Sequence, residues 1–304
     1  MGNPPSKRGN VRREKLIIEV RINEYASRKR NINVPFSPRE IRDDAIRCWN
    51  EGASIIHYHA RDPHSGAPSS DTALYAETAR LIKAHSDLIV MPTLGAWTLP
   101  SPEARMCHII EMAKDPATRP DFAPIDMGTS NVDVYDAKSQ GYLSDDVVYM
   151  NPTRTLRYFA ETIRASSVRP YMALWNVSAI RVTEAFVESG LFERPLYAGI
   201  VLTEAGLFAG NPGTVRGLEA MVDFIPSHLQ MHWSVMCVGG DLFPLIKTAL
   251  QHRGHIAIGL GDYPYTGMGA PRNDELVKRV AAIAREMGRE PATPAEARLM
   301  LGIA

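Results

Sequence analysis

From residue 16 onward, short β-rich apolar runs alternate with longer amphipathic ones. Eight runs predict strands: Leu16–Ile22, Ser54–His59, Leu88–Thr93, Phe122–Met127, Arg169–Trp175, Leu196–Leu202, Met231–Met236 and His255–Leu260. Helical periodicity fills the intervals, near 38–51, 71–85, 101–113, 153–166, 178–189, 213–224, 241–252 and 273–287. Ser37-Pro38 before Glu40, Ser101-Pro102 before Glu103 and Asn151-Pro152 before Thr153 read as helix starts. Eight strand–helix units predict an α/β fold, a single (β/α)8 TIM barrel over residues 15–304. The rival, an open doubly wound sheet, lacks its Gly-x-Gly-x-x-Gly turn after the first strand. A last short helix near 294–301, after Pro291 and Pro294, is expected to cover one end of the barrel.

Alternate strand residues face opposite sides, and the outer side of a barrel packs on helices and is apolar. Ile18, Val20 and Ile22 then face out, leaving Glu19, Arg21 and Asn23 inside. By the same parity His57, His59 and Arg61 face in, as do His255, Ala257, Gly259 and Gly261. Catalytic groups of this fold sit at the C-terminal strand ends, where Glu24, His57, His59, Thr93, Thr129, Glu204 and Asp262 fall.

Composition narrows the picture. Lys and Arg number 34 and Asp and Glu 34, so no charge excess points to nucleic acid or an anionic membrane. Lys7, Arg8, Arg12, Arg13 and Lys15 crowd among Gly, Asn and Pro, which suggests a short disordered basic arm over residues 1–14. No apolar run of signal-peptide or membrane-spanning length is present. Cys48, Cys107 and Cys237 are odd in number and widely spaced, which suggests reduced thiols in a cytoplasmic protein.

His57-Tyr58-His59 is the sharpest chemical signal. Two histidines two apart on a strand share a face, roughly 6.5–7 Å apart at the backbone. Their imidazoles can converge on one divalent ion, zinc first; a hydrogen-bonded histidine pair in a polar mouth is the alternative. Two ligands hold a metal weakly, so water or a carboxylate must complete the shell, and Glu204 is the first candidate. Glu24 suits a general base or a substrate-binding carboxylate, or else a solvated loop charge. Thr93 and Gly95, in Pro92-Thr93-Leu94-Gly95, shape a pocket wall for substrate. Thr129 and Asn131, in Gly128-Thr129-Ser130-Asn131, suit carboxylate binding or an ordinary capping turn. Gly239-Gly240 before the seventh helix resembles a phosphate loop, although Asp241 beside it would repel phosphate and can cap the helix instead.

Taken together, these residues resemble the beta-keto acid cleavage enzyme family, of the 3-keto-5-aminohexanoate cleavage type. The resemblance rests on Pro35-Phe36-Ser37-Pro38-Arg39-Glu40-Ile41, on the run from Glu51 through His57-Tyr58-His59 to Arg61, on Gly128-Thr129-Ser130-Asn131, and on Gly288-Arg289-Glu290-Pro291 with its continuation to Arg298. It implies a barrel, usually tetrameric, with zinc bound by His57, His59 and a later glutamate. It implies condensation of a small beta-keto acid with acetyl-CoA as co-substrate, giving acetoacetate and a new acyl-CoA. By position it makes Asp262 the aspartate of the strand-eight motif, Thr129 a substrate contact and Glu24 the substrate-binding glutamate. Two positions depart from the pattern: Gly261 stands where the family has its ligand glutamate, and Ala257 where it has an arginine. Arg21, on the neighbouring first strand, is a candidate to replace that arginine, or pairs only with Glu19. Competing functions are a metal-dependent lyase or hydrolase that does without coenzyme A, and a barrel that binds a small acid without turnover.

Overall fold

The computed structural model describes residues 15–94 and 99–303. The expected arm over 1–14 and the candidate substrate contact Gly95 lie outside the described residues. Eight parallel strands form the barrel: β1 (Ile18–Arg21), β2 (Ile55–Tyr58), β3 (Ile89–Pro92), β4 (Phe122–Asp126), β5 (Arg169–Leu174), β6 (Leu196–Thr203), β7 (Met231–Val238) and β8 (His255–Ile258). Hydrogen bonding runs β3-β2-β1-β8-β7-β6-β5-β4. Asp121 joins the two ends of that order: its N–H donates to Val90 O at 2.9 Å and its carboxylate accepts Val90 N–H at 2.8 Å.

The alternation expected from sequence divides the core into two layers. Ile18, Val20, Ile56, Tyr58, Ile256 and Ile258 belong to the layer between strands and helices. Inside the barrel lie Ile17, Ile55, Met91, Phe122, Tyr171, Tyr197, Met236 and Ala257. The inner layer also takes in Ala297 and Leu301 of the last helix, α9 (Pro294–Leu301), which plugs the N-terminal end as expected. Leu16 holds that plug, donating to Glu290 O at 2.8 Å and accepting from Ala292 N–H at 2.7 Å.

Helices α1 (Pro38–Asn50) and α3 (Pro102–Met112) begin at Ser37 and Ser101, whose hydroxyls accept helix N–H groups. The third expected cap differs. Pro152 occupies the cap of α4 (Thr153–Ala165), and the Asn151 amide turns away to Gly128 O and Arg105. The chain between β4 and α4 also forms two short antiparallel ribbons, Ser130–Asn131 with Val148–Tyr149 and Tyr135–Asp136 with Gly141–Tyr142. Two-residue strands carry no readable periodicity, so the sequence pattern shows only a long connection there.

Ser37 and Glu40 form a reciprocal capping box. Slight burial opposes ionisation of Glu40, but the N–H groups of Ser37 and Phe36 and the Arg28 guanidinium hold its carboxyl at about 2. A carboxyl lowered on folding stabilises above its ordinary value and loses that contribution as pH falls toward the folded value. Ser37→Ala is therefore expected to cost about 1 kcal/mol in urea unfolding at pH 7 and less at pH 3. An equal cost at both values would count against the box.

Candidate metal centre

The site lies at the C-terminal mouth of the barrel, where β1, β2 and β8 adjoin. β2 carries His57, with His59 just past its end, and β1 carries Arg21. Glu24 and Asp262 follow β1 and β8. The turn after β1 is fixed from β2. Asn23 donates to His59 O at 3.0 Å and accepts the His59 N–H at 2.9 Å. Arg61 then gathers the turn by its carbonyls, donating to Asn23 O at 3.0 Å, Glu24 O at 2.6 Å and Ala26 O at 2.8 Å. Arg61, expected inside the mouth, spends its guanidinium on this backbone, and so aims Glu24 at the histidines.

Glu24, His57 and His59 each bring one ligand atom to within 4.8 Å of the others. Glu24 Oε1 lies 3.4 Å from His57 Nε2. Arg21 is the hub on the other side, with Nε 3.1 Å from Asp262, Nη2 3.3 Å from Glu24 and Nη1 3.5 Å from Glu19. Three buried carboxylates thus share one guanidinium, more acidic groups than a single positive charge can balance when all are ionised. Arg21 pairs with more than Glu19, and its position above Ala257 follows from the register Glu19 to Ala257 across β1 and β8.

Burial sets the protonation preferences of the site. It pushes Glu24 up to about 8, with Arg21 opposing and the charges of Asp262 and Glu19 adding. It raises Asp262 and Glu19 as well, again against Arg21. Burial and then the charge of Arg21 lower His59 to about 3 and hold His57 well below its ordinary range. Both imidazoles are therefore neutral, the form that donates a lone pair to a metal.

Both carboxylate oxygens of Glu24, Nδ1 of His57 and Oδ2 of Asp262 are buried without a hydrogen-bond partner. Buried polar atoms are seldom left unpaired, because each costs about 1–3 kcal/mol or more when charged. Carboxylate oxygens without a hydrogen bond beside two neutral imidazoles are a donor set that fits a divalent cation.

Residues 15–303 match the beta-keto acid cleavage enzyme family. The chain belongs to that family. It is 29% identical over 294 residues to a 3-keto-5-aminohexanoate cleavage enzyme of Acetoanaerobium sticklandii, covering 95% of this chain and 99% of that protein. It is 27% identical over 282 residues to a 3,5-dioxohexanoate:acetyl-CoA acetone transferase of Paraburkholderia graminis, covering 88% of this chain and 89% of the other. A solved structure, the apo structure of ObcA, superposes with a TM-score of 0.69 at 15% identity over 89% of this chain and 66% of its own, a likeness of fold.

In this member of the beta-keto acid cleavage enzyme family, the expected site residues divide into two sets. Arg21, Glu24, His57, His59 and Asp262 come together. Glu204, the sequence-based candidate for a third ligand, does not. Its Oε1 accepts Gly213 N–H at 2.8 Å, and among the described residues the group of possible ligands holds Glu24 in its place. The phosphate loop is also absent, because Gly239 N–H donates to Asp262 O and Gly240 N–H to Cys237 O. Asp241 instead accepts the Phe243 N–H at the start of the seventh helix.

Thr93 follows β3 and is half-buried, its carbonyl 2.7 Å from His108 Nε2. Thr129 and Asn131 are exposed, and the Thr129 hydroxyl accepts the Asn151 N–H at 2.9 Å. Sequence reasoning overlooked Tyr25, whose ring meets His59 edge-on at 5.3 Å. It also overlooked Asp126, which ends β4 and accepts from Tyr149 Oη at 2.6 Å and Trp175 Nε1 at 2.7 Å. A charged residue ending a barrel strand was the available signal for Asp126. A cavity of about 540 Å³ lined by Lys83, Arg119, Asp121, Arg169 and Ile303 lies at the opposite, N-terminal end of the strands. Chemistry in this fold belongs to the C-terminal end, where Glu24, His57 and His59 converge.

Proposed function

We propose that this protein is a metal-dependent beta-keto acid cleavage enzyme with acetyl-CoA as co-substrate. The bond between the keto carbon and the carboxymethyl carbon breaks, and the keto acyl group passes to the coenzyme A sulfur. The carboxymethyl carbon bonds to the acetyl carbonyl, so that acetoacetate and a new acyl-CoA leave. The observation that carries this reading is the convergence of Glu24, its carboxylate without a hydrogen bond, with neutral His57 and His59 in a chain of this family. Zinc is the first choice of ion, because two imidazoles and a carboxylate suit its borderline softness. When bound, it would polarise the keto oxygens of the substrate.

Arg21 holds Glu24 and Asp262 in register and offers its positive charge to the substrate carboxylate. Asp262, whose Oδ2 lies 3.1 Å from Arg21 Nε, takes the proton from the carbon between keto and carboxylate groups and returns it to product. Glu24 then serves the metal and leaves the base role to Asp262. Thr93, Thr129 and Asn131 are the candidate substrate contacts among the described residues. Residues 15–304 form one catalytic barrel. Copies associate as a homotetramer by resemblance to the family; exposed Tyr142, Leu143, Met150 and Phe208 support self-association, and light scattering reads the subunit count. Three free cysteines support a reducing, cytoplasmic setting.

Metal-loaded protein given acetyl-CoA and a panel of beta-keto acids is expected to release acetoacetate. A metal-dependent lyase that needs no coenzyme A is the second reading, favoured by the committed N–H groups of Gly239 and Gly240. Substrate cleavage at equal rate without acetyl-CoA would select it over the first.

A further inference from the structure

The geometry points to Gly261 as the residue that positions Glu24 for metal: the missing side chain there is the space in which the Glu24 carboxylate lies. This inference rests on the metal centre proposed above and concerns how this chain builds it.

Two glycines on the inner side of the β8 end differ in what excludes a side chain. A Cβ on Gly259 would run into the main chain of Arg21, at its carbonyl, its carbonyl carbon and, at 2.9 Å, its nitrogen. Gly259 is thus required by the close approach of β1 to the β8 end, whatever side chains stand nearby. A Cβ on Gly261 would instead overlap Glu24 Oε2 and press on its Cδ, with Arg21 O third at 2.9 Å. The backbone of Gly261 is not in the left-handed region, and its N–H donates to Arg21 O at 3.0 Å. Alanine is therefore compatible with its φ, and the main obstacle is the carboxylate.

Beyond His255, the inner face of β8 and the turn after it is bare, with Ala257, Gly259 and Gly261 presenting at most a methyl group. Glu24 reaches across from β1 into this bare strip. There it stays within 3.3 Å of Arg21 and 3.4 Å of His57, unpaired by any hydrogen bond. Its stem is held by Arg61 on the Glu24 carbonyl, so the carboxylate has little freedom to retreat from a new methyl group and still face the histidines. Side-chain absence at 261 and carboxylate presence at 24 are one device, and Gly261 is a positioning residue, not a ligand.

The test is a two-by-two set: wild type, Gly261→Ala, Glu24→Ala and the double variant. Zinc affinity is measured by chelator competition, with the visible spectrum of the cobalt-substituted protein and the melting temperature of the metal-free protein alongside. Gly261→Ala is expected to weaken zinc binding about 10- to 100-fold, the range for groups that orient a ligand, and to give the cobalt spectrum of Glu24→Ala. In the Glu24→Ala background the same methyl group is expected to change affinity by less than about 2-fold, because the residue it displaces is gone. The melting temperature of the metal-free double variant reads the remaining contact with Arg21 O, and Gly259→Ala, destabilising in either background, is the control. If Glu24→Ala weakens zinc and Gly261→Ala does not, or if the glycine effect is equal in both backgrounds, the role of Gly261 is overturned. If Glu24→Ala leaves zinc affinity unchanged, the metal centre itself is wrong.

Discussion

The double substitution His57→Ala/His59→Ala is expected to leave the barrel folded, strip it of metal and abolish turnover. With both imidazoles gone, Glu24 is the one member left of the three-residue group, and a single carboxylate does not retain a divalent ion. A metal that polarises a carbonyl supplies several kcal/mol of transition-state stabilisation, so kcat/KM should fall by about 10³-fold or more. The fold should survive, because both side chains face the mouth and the outer side of β2 keeps Ile56 and Tyr58 in the core. Elemental analysis with circular dichroism checks both halves. Equal metal in variant and wild type would contradict the site.

The second large effect is on stability. Arg21→Met is expected to destabilise the metal-free protein by about 3–5 kcal/mol, since removing one partner of a buried ionic group leaves the others uncompensated. Glu19, Glu24 and Asp262 would then face one another in the barrel without the guanidinium that holds them. For a domain this large the melting temperature should drop by roughly 10 °C. Bound zinc should recover part of that loss, because it offsets the same negative charges and binds only the folded state. Lysine is an incomplete replacement: one ammonium cannot divide itself among three carboxylates as the planar fork does. Arg21→Lys should therefore lose both stability and turnover, a combined loss that the isolated Glu19–Arg21 pair of the sequence reading did not require. Thermal melts with zinc and with chelator measure this, and a variant melting within about 1 °C of wild type would remove Arg21 from the centre of the account.

These expectations draw on what the sequence shows and on what it conceals. Strand alternation was legible because barrel strands carry one apolar side and one mixed side, and it placed Glu19, Arg21 and His57 inside without coordinates. The His57–His59 pair was legible for the same reason. Glu24 was legible as a functional residue but not as the third member of the metal group. It lies three residues beyond β1, where alternation no longer tells direction, and its aim depends on Asn23 and Arg61, tied across to it by bonds spanning 36 to 38 residues. Glu204 looked equally suitable by position, yet the Gly213 N–H claims its carboxylate. Gly261 read as the loss of a ligand, and in the fold it is the space another carboxylate fills. Arg105 was silent because its partners Tyr149 and Asn151 lie on the long connection without readable periodicity.

The account stands on Glu24, His57 and His59 binding one divalent ion together. An anomalous-scattering map of zinc-loaded crystals tests that most directly. The account predicts one ion about 2.0–2.2 Å from a nitrogen of each histidine and a carboxylate oxygen of Glu24, with Glu204 still on Gly213. An ion bound elsewhere, or bound to the histidines with Glu24 left on Arg21, would contradict it.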